Sequence, residues 1–171
     1  MIFFNIRDPR LATIRRGGTL TDGDHQLLAE WAAVCAEHVL YLFEQACPDD
    51  LRARKAIEAA RAWARGNMSM MDARTAGGHA MGAARNLNGA GRYAAYAAGQ
   101  SACVGHVASH ELGACAYAIK AAQAAAPEAE RDEARRAECL WQRKQLPDTI
   151  LELVLCDQRA RNDLCWFMFD C

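Results

Sequence analysis

The chain has 171 residues, enough to bury a core without help from a metal or a disulfide. Its 20 basic and 21 acidic residues leave a net charge of -1, which removes the electrostatic case for a nucleic-acid partner or an anionic membrane surface. No run approaches the ~18 apolar residues of a membrane span, and the segment Met1 to Pro9 is charged too early to be a signal peptide, so a cytoplasmic location is expected.

The first twenty residues or so (1–20) read as an N-terminal lead-in. Asp22 or Asp24 then stands where a cap belongs, ahead of Leu27, Leu28, Trp31, Val34, Cys35, His38, Val39, Leu42 and Phe43, whose spacing predicts one long amphipathic helix ended by Pro48. Asp49 or Asp50 opens a second helix with Leu51, Ile57, Ala60, Trp63 and Ala64 on its inner stripe and Gly66 as its stop. A third is expected from about Met70 to Leu87, where Asn88-Gly89 interrupts the pattern.

From Ala90 to Ala126 the pattern is helical throughout, but Gly105 and a candidate cap at Ser109 predict two helices meeting near Val107. Beyond Pro127 the alternating charges of Glu128 to Lys144 have the look of an exposed helix, and Pro147 or Asp148 starts another through Ile150 to Leu155. The closing Leu164 to Phe169 is too short an apolar run to assign by period, and reads as helix or packed tail. The sum is an all-α fold, a compact multi-helix bundle of about seven helices in one domain spanning residues 1–171, with no sheet.

Ala73 to Ala126 is built mostly from Ala and Gly yet carries large polar groups at intervals. Small residues let helix backbones approach closely, so these polar groups need buried partners or line a surface. His79, Tyr96, Gln100, His106, His110 and Tyr117 form the candidate binding residues, a buried polar cluster of mutually bonded side chains. The alternative is a metal site: His106 and His110 are four apart on one helix face, and His79 could supply a third imidazole. No cofactor is expected. Ala76-Gly77 and Ala98-Gly99 echo one another, as composition alone would produce.

Cys103 and His106, three apart, are the weak candidates for a nucleophile and base. All eight cysteines are expected to be thiols in the cytoplasm, most of them buried, and no C-x-x-C pair marks a zinc site. No phosphate loop or nucleophile elbow is present.

Three segments, Ile14 to Leu28, Arg54 to Gly66 and Gly105 to Ala121, resemble the bacterial immunity protein family of polymorphic toxin systems. The likeness extends from about Ile14 to the end and includes Leu146 to Val154. It implies an all-α, non-enzymatic protein that neutralises a cognate toxin by binding it. It brings no catalytic residues. Family members often carry a proline at the position of Ala108, which implies a helix break there. A homo-oligomer joined through the tail from Trp166 to Phe169 is the remaining expectation for a partner.

Overall fold

A computed structural model describes residues 8–171; the expectations for residues 1–7 lie outside the described residues. From Asp8 the lead-in folds as two 3₁₀ turns, Pro9–Leu11 and Ile14–Arg16, tied by one isolated bridge between Thr13 and Leu20. Eight α-helices follow among the described residues, against about seven expected, and no strand: α1 Asp22–His38, α2 Leu40–Ala46, α3 Arg52–Ala64, α4 Met70–Ala83, α5 Gly89–Cys103, α6 His110–Ala125, α7 Arg131–Lys144 and α8 Asp148–Arg161. None is long and apolar enough to cross a membrane.

The extra helix comes from a break at Val39 in what the periodicity presents as one long helix. The break lets α2 lie against α5, where Gly91 leaves room: a Cβ there would sit 3.0 Å from Ala46 and 3.2 Å from the Leu42 carbonyl. The cap of α1 is Thr21 rather than Asp22 or Asp24. Its hydroxyl accepts the Asp24 N–H at 3.1 Å and donates to the Asp24 carboxylate at 2.8 Å, a reciprocal arrangement that satisfies an otherwise orphaned donor.

At the start of α3 Asp50 accepts the Arg52 N–H, but Leu51 is the boundary residue and is exposed, not part of the inner stripe. Gly66 ends α3 as expected. With φ at +76° it turns the chain left-handed, its N–H bonds the Trp63 carbonyl, and the Asn67 N–H bonds that of Ala62, closing a Schellman cap.

The Ala and Gly stretch becomes the centre of the molecule. α5 is buried on nearly all sides through Ala94, Ala95, Ala97, Ala98, Ser101 and Ala102, the signature of a helix surrounded by others. It packs against α1, α2, α3, α4 and α6. α5 and α6 are separate helices, as the Gly105 and Ser109 signals predict, joined by a turn in which the His106 and Val107 N–H groups both reach the Cys103 carbonyl. Packing enforces this turn: a Cβ on Gly105 would lie 2.6 Å from the Trp63 ring.

α7 departs from the expected exposed helix. Arg135, Glu138, Cys139 and Gln142 form its buried stripe, while Leu140 is exposed. Several of these buried polar groups find partners, although the Gln142 side-chain oxygen has none among the described residues. Gln142 donates to the Glu138 carboxylate at 3.0 Å and to the Cys115 carbonyl at 3.3 Å, and its own carbonyl accepts the Trp31 indole N–H at 2.9 Å. His38 donates to Glu138 at 2.8 Å and stacks on Trp141 with ring centroids 3.6 Å apart.

The C-terminal segment is a packed tail of turns lying on α7, with Cys165, Met168 and Phe169 buried. Arg135 reaches the Met168 and Asp170 carbonyls, and Arg143 those of Phe169 and Cys171. Cys139 and Cys171 are joined by a disulfide, which corrects the expectation of eight thiols. Spacing along the chain hides this pair because tertiary folding alone brings residue 171 back to the middle of α7. Cys35, Cys103, Cys115 and Cys165 are free and buried.

Candidate functional site

The six candidate residues do not form one cluster. His79 lies on the exposed side of α4 and joins none of the contacts described below. His106 stands in the turn between α5 and α6, where its carbonyl accepts from the Arg16 guanidinium. Among the described residues no group of three His, Cys, Asp or Glu side chains is gathered to hold a metal ion, and nothing favours the three-histidine alternative.

The remaining four form two layers between α5 and α6. In the inner layer His110 Nδ1–H donates to Gln100 Oε1 at 2.7 Å, and the Gln100 amide reaches toward Met81 Sδ at 3.6 Å. Gly113 makes this possible, since a Cβ there would lie 2.8 Å from Gln100 Oε1. Burial holds the His110 ring at a pKa of about 4, and the neighbouring His106, Arg161 and Arg74 act in the same direction. His110 is therefore neutral at pH 7. The Cys103 thiol, the candidate nucleophile, is pushed up by burial and so is a poor source of thiolate.

The outer layer is aromatic. Tyr96 and Tyr117 have ring centroids 5.1 Å apart, Tyr93 and Tyr117 6.4 Å, and Tyr117 and Trp166 of the tail 5.2 Å. Spacing along α5 puts Tyr93 and Tyr96 on one face with Arg92, while Tyr117 and Lys120 are one turn apart on α6. Lys120 Nζ sits 3.7 Å from the Trp166 ring centroid and 5.2 Å from that of Tyr93; the Arg92 guanidinium lies 5.6 Å from that of Tyr96 and donates to its hydroxyl at 3.3 Å. These are cation–π distances. The result is a ridge of four rings and two cations across α5, α6 and the tail.

The tail reaches this ridge by an uncommon backbone. Trp166 and Phe167 have φ of +56° and +57°, a left-handed conformation that bulky residues rarely adopt. It turns Trp166 and Phe167 outward, at 39% and 58% exposure, while their neighbours Cys165 and Met168 face the core.

A second polar group was not foreseen from the sequence. Glu111, next to His110, is fully buried beside Asp157 and Arg161 of α8. Arg161 forms a two-pronged ion pair with Asp157, lies 3.6 Å from Glu111 and donates to the Ser109 carbonyl at 3.2 Å. Burial, with the adjacent Asp157, raises the Glu111 carboxyl well above its ordinary value, so this acid resists ionising beside its neighbour. The Asp157-to-Arg161 spacing of four is a legible signal; Glu111, a lone acid in an alanine-rich helix, offers none. This group ties α6 to α8.

A family model described as Imm-5 like putative immunity protein matches residues 18–149, which run from the lead-in to the first turn of α8. No curated protein and no solved structure matches the chain. The match spans more than half of the chain and takes in α1 to α7, with Trp166 of the outer layer lying beyond it, so the chain belongs to the Imm-5 like putative immunity protein family.

Proposed function

We propose that this protein protects a bacterial cell by binding a cognate toxin stoichiometrically and blocking it, without catalysing a reaction. The observation that carries this reading is membership in an immunity family over residues 18–149. The ridge on α5 and α6 supports it, because rigid Tyr and Trp side chains with Arg are what protein-binding surfaces are enriched in. In this reading the chain works in the cytoplasm, where the Cys139–Cys171 bond would be under reducing conditions and the tail would rely on Arg135 and Arg143.

The experiment is co-expression with the toxin encoded beside this gene. Restored growth together with a one-to-one complex in size-exclusion chromatography with light scattering supports the reading. Growth arrest that persists while the protein accumulates in soluble form sinks it.

A further inference from the structure

We propose that the ridge of Tyr93, Tyr96, Tyr117 and Trp166 with Arg92 and Lys120 is the docking surface for an acidic face of the cognate toxin. This deepens the immunity reading and rests on it.

Charge is the first argument. Arg52, Arg54, Arg61, Arg135 and Arg161 are paired with carboxylates; Arg92 and Lys120, like Arg65, Arg85 and Lys144, belong to no ion pair among the described residues, and these two lie on ring faces. Burial alone lowers the Lys120 amine, with no acid acting on it. Two cations on one aromatic ridge, bound to ring faces and not to a carboxylate, leave that role to a partner, and no ion pair among the described residues has to be broken first.

The second argument is construction. Trp166 and Phe167 are held in a backbone conformation that costs free energy, and the tail around them is held by Arg135 and Arg143 and by Asn162, which accepts the Phe169 N–H at 3.1 Å. Strain that the surroundings over-determine is characteristic of functional positions. Its effect here is to present Trp166 beside Lys120, with Phe167 also outward, on a support that loses little freedom on binding.

The test uses the full chain and a catalytically inactive form of the toxin encoded beside its gene, with affinities measured by calorimetry or biolayer interferometry. Lys120→Glu and Trp166→Ala are expected to weaken binding at least about 30-fold, while Tyr41→Ala, an exposed aromatic on α2, stays within about 3-fold of wild type. Replacing the contacting toxin acid by Lys is expected to restore at least about tenfold of the Lys120→Glu loss. Far-UV circular dichroism checks the fold; if Trp166→Ala does not fold, Lys120→Glu with its rescue decides.

Wild-type binding with no loss in the ridge variants overturns the docking surface and leaves the immunity reading standing. A wild-type chain that neither binds nor neutralises the toxin overturns both. Ridge variants that only convert a wild-type dimer into monomers, with toxin affinity unchanged, also overturn it, because the occupant is then a second copy of the chain.

Discussion

A Cβ placed on Gly77 of α4 would sit 2.6 Å from the carbonyl oxygen of Gly99 on α5, and one placed on Gly99 would sit 2.8 Å from the carbonyl oxygen of Gly77. The two helices therefore meet backbone to backbone at a reciprocal pair of glycines. Ala76-Gly77 and Ala98-Gly99, an echo that composition explains well enough in one dimension, are the two halves of one crossing in three.

Gly77→Ala and Gly99→Ala are expected to destabilise the fold by about 1–3 kcal/mol each, because the added methyl meets rigid carbonyls and, at Gly99, the Met81 side chain as well. Gly78→Ala, with nothing within 4 Å of its Cβ, should instead stabilise by about 0.5–1 kcal/mol through helix propensity. Urea unfolding of the three variants checks this; equal effects at positions 77 and 78 would count against the crossing.

Arg161→Met should cost about 3–5 kcal/mol, since it leaves the Asp157 carboxylate buried without its guanidinium. Adding Asp157→Leu should recover a large part of that loss by removing the stranded charge. A double variant no more stable than the single one would show that the group is held by something other than this pair.

Reducing Cys139–Cys171, or changing Cys171 to Ser, removes a crosslink spanning 32 residues and is expected to lower stability by about 2–4 kcal/mol. The tail should stay docked in the native state through Arg135 and Arg143. The Trp166 contribution to the fluorescence of the four tryptophans, taken as the difference from a Trp166→Phe chain, distinguishes the two effects: an unchanged native contribution with an earlier unfolding midpoint fits the docked tail, whereas a shifted one does not.

His110 has a pKa of about 4 in the fold against an ordinary value near 6.5. The folded state thus binds this proton less readily than the unfolded chain, so its contribution to stability is complete above pH 6.5 and is lost as pH falls from 6.5 through 4. His25, which donates to the Val104 carbonyl, is also lowered by burial and acts in the same sense. Glu111, raised by burial, acts oppositely: its contribution is complete below its unfolded pKa near 4.5 and fades as pH rises above it. His110→Gln, which can still bond Gln100, should therefore reduce the stability loss between pH 7 and pH 4 by about 2–3 kcal/mol. Denaturant titrations of both chains across that range read the difference directly.

The residue pattern by itself determined that the chain is all helical, where α3 stops at Gly66, and that α5 and α6 are separate helices, because caps, stops and the 3.6-residue period are local properties. It also marked His79, Tyr96, Gln100, His106, His110 and Tyr117 as residues among small neighbours that need partners, though His79 lies on an exposed face. Tertiary structure decided who those partners are. It broke the first helix at Val39 for the sake of α5, buried the charged face of α7, and brought Cys171 back to Cys139. It also separated His79 from the other histidines and set Trp166 beside Lys120. None of these is encoded at short range: each depends on which surfaces meet across the core, and an alanine-rich helix presents nearly the same small residues in every direction until its neighbours are in place.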